Sequence, residues 1–233
     1  MYDKKIVLGL IAALGLVGVT RPAAADVFST YTCDTSFACT DGTVPVSNGD
    51  FDLISNNGAN PIASGLQLQV TGTLALSNIT SLSAVYSMIN GTFGGGAPRF
   101  TLFDDSFASA YVYWGTPAGG GSFSNPNANN SFSSTGNYAD TSSSDVRVYV
   151  NGFGGQNTPN TGETWDDFVT ALGATDVSYV TLDLDGGFTG NQEMLVNSFT
   201  VNDETFTAPT PEPAALALFG TGLLALGMVR RRR

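Results

Sequence analysis

Side chains able to do covalent or proton-transfer chemistry are scarce in this sequence, and where they lie restricts what it can do. It has no histidine, and its two lysines, Lys4 and Lys5, sit at the N-terminus beside an apolar run. A Ser-His-Asp triad, a Ser-Lys dyad, a histidine metal site and Schiff-base chemistry each need a residue that the rest of the chain lacks. Cys33 and Cys39 are separated by five residues. That is not CxxC spacing and no histidine accompanies it, so in an exported chain the pair reads as one small-loop disulfide rather than a metal or redox site. The chain-entropy relation gives so short a loop roughly 2 kcal/mol. Carboxylate pairs remain, and glycosidases place two acids on opposite sides of a bound sugar. The candidates are Asp104-Asp105, Asp166-Asp167, and Asp183 with Asp185. Asp166-Asp167 is better explained as negative charge at a helix N-terminus. No enzymatic activity is expected.

Binding chemistry has more to work with. In Asp183-Leu184-Asp185-Gly186-Gly187, alternate carboxylates of an extended chain point the same way, and the glycines let carbonyls turn inward, which suits calcium. An acidic turn closing a strand is the competing meaning. Tyr111 and Tyr113 share a face, with Tyr149 near them, and form a candidate platform for stacking sugar rings. Cross-strand tyrosines also stabilise sheets without any ligand. Between residues 26 and 229 there are nineteen acids and two bases, Arg99 and Arg147, a formal charge of −17. Nucleic acid is thereby excluded as a partner, since phosphate neutralisation needs clustered Lys and Arg. Arg147 lies mid-strand between valines and reads as half of an ion pair with a strand-borne Asp such as Asp183. The alternative is a clamp on an acidic sugar.

The elements that must position these groups are strands. Residues 26–206 alternate apolar and polar at period two: Leu66, Leu68, Val70, Leu74 and Leu76 against Gln67, Gln69, Thr71 and Thr73, then Val146-Arg147-Val148-Tyr149-Val150, 177–184 and 195–201. Gly/Asn/Ser loops separate them, the longest running from Gly115 to about Ser144. Many short strands without a βαβ rhythm predict an all-β fold, an antiparallel β-sandwich. One helix interrupts: Trp165, Phe168, Val169 and Leu172 form a stripe, Thr164 with Asp167 resembles a capping box, and Gly173 ends it. Trp165 is expected to plug the core.

The two ends are addresses. Residues 1–25 hold Lys4 and Lys5, a 14-residue apolar run from Ile6 to Val19, and Ala23-Ala24-Ala25, the signature of a secretory signal peptide cut between Ala25 and Asp26. Export machinery of the Sec type and signal peptidase are the implied partners. At the other end, residues 207–213 form a Pro-rich linker, 214–229 an uncharged helix of about 24 Å, and 230–233 a run of four arginines. Such a helix spans a ~30 Å hydrocarbon core only with snorkelling and slight thinning. Basic residues stay on the cytoplasmic side, so the acidic body sits outside the inner membrane, anchored there transiently.

Pro211-Glu212-Pro213, a short Gly/Ala/Leu segment and Arg230, Arg231, Arg232 and Arg233 closely resemble the PEP-CTERM sorting signal of Gram-negative bacteria. The resemblance implies that Pro211, Glu212 and Pro213 are recognised by the membrane transpeptidase exosortase, with the arginines as stop-transfer charge. It implies delivery to the outer surface or the extracellular matrix, in organisms that make exopolysaccharide and biofilm. Residues from about Gly94 to Phe206 also resemble a jelly-roll-like module of secreted bacterial proteins, in Gly95 to Phe100, Arg147, Leu182 to Gly187, Gln192 and Val201-Asn202. That likeness implies a fold and no activity. The expected role is a sorted surface or matrix protein adhering to exopolysaccharide, without a cofactor unless calcium binds. A carbohydrate-active enzyme using an Asp/Glu pair and a ligand-free sheath subunit are the alternatives.

Overall fold

The computed structural model describes residues 26–36, 38–91, 98–114, 130–157, 162–184 and 190–209. The expected signal peptide, with Ala23 and Ala25, lies outside them, as do Asp185, the Pro211–Pro213 motif, the apolar segment 214–229 and the arginine run. Among the described residues no helix is long and apolar enough to cross a membrane.

The chain order is β1 (Val27–Cys33), β2 (Cys39–Asp41), β3 (Val46–Ser47), β4 (Asp50–Ser55), β5 (Ala63–Gln69), β6 (Leu82–Asn90), β7 (Arg99–Asp104), β8 (Ser109–Trp114), β9 (Ser133–Ser134), β10 (Val146–Asn151), α1 (Trp165–Leu172), β11 (Val177–Leu184), β12 (Gln192–Val201) and β13 (Glu204–Thr207). They build two sheets, β10-β8-β7-β11-β5-β1-β2 and β3-β4-β12-β6-β9, with β13 also on β12. The strand pairings are antiparallel. The fold is the antiparallel sandwich that the alternation predicts. β12 anchors the second sheet: one edge pairs β6, and the other is shared by β4 along Gln192–Val196 and β13 along Ser198–Val201.

Alternation puts Leu66, Leu68, Phe100, Leu102, Val112, Val148, Val180 and Leu182 on the inner face of the seven-stranded sheet, each at most 2 % exposed. Phe51, Leu53, Tyr86, Met194, Val196 and Phe199 face them from the other sheet. Each such side chain contributes about 1.5–3 kcal/mol of burial. α1 closes one end with Trp165 and Phe168, both fully buried. Its N-cap is Thr164, whose hydroxyl accepts from the Asp167 amide at 3.1 Å and donates to the Asp167 carboxylate at 2.8 Å.

Two sequence expectations are corrected. The face drawn from Leu66 to Leu76 is not one strand: β5 stops at Gln69, Gly72 turns the chain at φ 127°, and Leu76 reaches the core from a 3-10 turn. Nor is the segment before Ser144 purely a polar loop. Tyr138 is fully buried within it, edge-on to Phe100 at 5.1 Å, with its hydroxyl donating to the Pro98 carbonyl. At the C-terminal end of the sandwich, Thr207 pairs Ser198 and Ala208 is 3 % exposed.

The turn joining β7 to β8 is clamped by Asp104. One carboxylate oxygen accepts from Ser106 N–H at 2.9 Å, Ser106 hydroxyl at 2.6 Å and Ala108 N–H at 3.1 Å, and the other accepts from Gly154 N–H at 2.9 Å. Burial raises the carboxyl pKa, but the four hydrogen bonds outweigh it and hold the group below the usual carboxylate range. A depressed carboxyl stabilises fully above its unfolded pKa and ceases to do so as pH falls through its folded value. Asp104→Asn is therefore expected to cost about 1–3 kcal/mol at neutral pH in urea denaturation, the gap to the parent closing as the pH drops below the carboxylate range.

Candidate functional site

On the outer face of the seven-stranded sheet, where water is expected, several polar and aromatic side chains are buried instead. Register brings them into rows: Arg147 opposite Tyr113, Arg99 opposite Asp183, Asp183 opposite Gly65 and Gly65 opposite Tyr31. The next row runs Tyr149, Tyr111, Thr101, Thr181 and Gln67. Asp183, only 6 % exposed, is the hub. Its Oδ2 accepts from Arg99 Nε at 3.3 Å and from Thr101 Oγ1 at 2.5 Å, and its Oδ1 accepts from the Tyr31 hydroxyl. Burial pushes the Tyr31 phenol well above its ordinary pKa, and the Asp183 charge and hydrogen bond push it further, so Tyr31 is a committed donor.

Reaching Asp183 from β1 means crossing β5, and Gly65 makes that crossing possible. A Cβ on Gly65 would stand 2.5 Å from the Tyr31 hydroxyl oxygen and 2.7 Å from the Leu182 carbonyl oxygen. Arg99 in turn spreads over tyrosines. Its Nη1 donates to the Tyr113 hydroxyl at 3.3 Å, and its guanidinium carbon lies 4.9 Å from the Tyr111 ring centre and 5.9 Å from that of Tyr113. Tyr113 meets Tyr149 edge-on at 5.8 Å. Beside these groups a groove of about 280 Å³ opens, walled by Tyr31, Gln67, Arg99, Thr101, Phe103, Tyr111, Thr181 and Asp183, with Cys33, Cys39 and Asp41 at one end.

The structure thus brings Tyr111, Tyr113 and Tyr149 together as read from sequence, but Tyr113 is 8 % exposed and spends its hydroxyl on Arg99. The ion pair is Arg99–Asp183 rather than Arg147–Asp183, because β7 neighbours β11 whereas β10 lies beyond β8. Arg147 is 2 % exposed, with its guanidinium 5.7 Å from the Tyr149 ring centre. Cys33 and Cys39 form the disulfide, at facing positions of β1 and β2. For calcium, both oxygens of Asp183 already accept hydrogen bonds, and Asp185 lies outside the described residues. Among the described residues, no three acidic, Cys or His side chains converge. The paired carboxylates are occupied too: Asp104 clamps its turn, Asp105 accepts from the Ser178 hydroxyl, and Asp166-Asp167 open α1.

Sequence reasoning missed Tyr31, Gln67, Phe103, Phe107 and Tyr179 on this face. A glycine inside an apolar strand, Gly65, was the available signal for a close approach. The chain distance from Tyr31 to Asp183 leaves no local trace.

Residues 209–233 match the PEP-CTERM protein-sorting motif. No curated protein and no solved structure gives a significant match to the chain. The motif covers the tail and implies an exosortase as processing partner, with export and membrane-associated processing in a Gram-negative bacterium. It begins one residue after Ala208, the last buried position before it.

Gly65→Ala is expected to drive Tyr31 off Asp183 and destabilise the fold by about 1–3 kcal/mol, the cost of overpacking, as measured by the midpoint shift in urea.

Proposed function

We propose that this chain is a non-catalytic surface or matrix protein whose sandwich adheres to exopolysaccharide after exosortase processing. The observation that carries the delivery half is the sorting motif at 209–233. It agrees with the charge pattern, an acidic body between a basic N-terminus and a terminal arginine run. The adhesion half is supported by the outer face of the seven-stranded sheet. Sugar binding needs apolar ring faces for C–H surfaces beside rigid polar groups for hydroxyls, and the groove combines Tyr111 and Phe103 with Arg99, Gln67 and Thr181. Arg99 and Asp183 orient each other, so little side-chain entropy is left to lose on binding. A non-catalytic role is supported by where the carboxylates are spent: Asp104 holds a turn, Asp105 accepts from a strand hydroxyl, Asp167 caps a helix end and Asp183 takes three donors.

Delivery is tested by a Pro211→Ala, Glu212→Ala, Pro213→Ala variant. It is expected to stay unprocessed in the membrane fraction, whereas the parent is recovered cleaved, with intact-mass analysis fixing both ends; release of the variant at the parent's mass would defeat the sorting reading. Adhesion is tested by retardation in native gels cast with the organism's own exopolysaccharide. Tyr111→Ala is expected to bind roughly fivefold more weakly, about 1 kcal/mol of ring contact, with its unfolding midpoint retained.

A further inference from the structure

The most unusual backbone on the outer face lies beyond the groove, at the tip of the β7–β8 turn. Phe107 has φ 61°, a left-handed conformation that bulky side chains rarely adopt, and the residue is 69 % exposed. Such a conformation persists only where the surroundings impose it. Here Asp104 imposes it: its carboxylate pins the amides of Ser106 and Ala108 on either side, and its carbonyl accepts from Phe107 N–H at 2.9 Å. The result is a large apolar side chain held out in solvent by a fully satisfied, buried clamp.

Its neighbour is re-aimed as well. β11 carries an irregularity between Val177 and Tyr179 against β7. Regular alternation would place these two on the same face, yet Val177 is 1 % exposed in the core while Tyr179 lies on the outside against Phe107. The two rings stack with centres 5.6 Å apart and planes 27° from parallel. Asp105, accepting from the Ser178 hydroxyl, staples the turn to the bulge. Two separate departures from regular backbone therefore converge on one outward-facing aromatic pair, Phe107 exposed and Tyr179 half-buried, as bulges beside binding sites do. Phe103 and Gln67 complete a depression of about 210 Å³ beneath the pair, and both also wall the groove. Along β7 the distance from Phe103 to Arg99 is about 13 Å, longer than a single sugar ring.

We infer that Phe107, Tyr179 and Phe103 form a stacking platform for a neutral hexose polysaccharide, which continues past Gln67 onto the Arg99–Asp183 groove. The proposal rests on the adhesion reading and names its subsite and ligand class. The rings take the C–H faces of successive pyranoses, and the Gln67 amide offers one acceptor and two donors to their hydroxyls. Neutral sugar follows from charge: Asp105 sits at the rim, and the body carries nineteen acids against two bases, so a polyanion would be repelled.

The test uses the exported protein in native gels containing hydroxyethylcellulose, galactomannan, dextran or alginate. Retardation is expected in at least one neutral gel and not in alginate. Phe107→Gly is expected to weaken that retardation at least tenfold while its melting temperature stays level or rises, because glycine adopts positive φ freely. A residue serving stability alone would not separate the two readouts in this way. If Phe107→Gly binds like the parent while Tyr111→Ala binds less, the platform is wrong and adhesion through the groove stands. If the parent is retarded only by alginate, the neutral ligand class is wrong. If it is retarded by none of the four, the platform falls together with the adhesion reading.

Discussion

Burying a carboxylate on the outside of a sheet is costly unless its charge is balanced and its lone pairs are filled. Asp183 meets that condition only because two other strands supply donors: β7 with Arg99 and Thr101, and β1, reaching across β5, with Tyr31. The requirement constrains much of the sheet. β5 must carry glycine at 65 so that a phenol can lie over it. β1 must stay in register with β5 along its length, and the disulfide at its end, closing the β1–β2 hairpin, limits fraying where Tyr31 is needed. Arg99, held at one end by Asp183, is presented at the other to Tyr111 and Tyr113.

The two faces of this sheet are held together by different forces. The inner face is aliphatic and aromatic, and its contribution scales with buried area. The outer face holds an ion pair, hydroxyls and rings whose arrangement adds less to stability, since part of the attraction only repays desolvation. On the adhesion proposed above, the mutual orientation of Arg99 and Asp183 leaves little side-chain entropy to lose on binding. The β7–β8 hairpin links the two faces. Asp104, on the inward parity of β7 with Leu102, forms a buried clamp, and the turn it shapes displays Phe107 outward.

Legibility from sequence followed the range of each interaction. Period-two alternation survives in the residues themselves, so β5, β10, β11 and β12 were readable, as was α1 with its Thr164 cap and Trp165 plug. The Cys33–Cys39 bridge and the tail motif are local patterns and were equally plain. What escaped depends on strand order or on broken periodicity. Asp183 was given to Arg147 because both lie in alternating strands, and nothing in the residues says that β7 lies beside β11. Phe107 was unreadable because a phenylalanine in a polar turn looks accidental until the Asp104 clamp is seen. Tyr179 was assigned a strand but not a face, since the bulge resets the alternation. Tyr138 hid within a stretch rich in Ser, Asn and Gly.

The junction between body and tail carries its own constraint. Thr207 still pairs with Ser198, and Ala208 is buried in the core cluster, so the packed sandwich persists to the residue before the matched motif begins. From Ala208 to Pro211 is three residues, at most about 11 Å of fully extended chain. An enzyme that recognises Pro211-Glu212-Pro213 at the membrane face must therefore work almost against the sandwich, at the end where β13 finishes. Proline suits so short a spacer, since it holds the chain extended and cannot be drawn into the neighbouring ladder. On the sorting proposed above, cleavage there would leave nearly all of the body folded and little free tail. That sorting would also make β13 a point of coupling, because fraying the Thr207–Ser198 pairing would lengthen the reach of the motif beyond the edge of the six-stranded sheet.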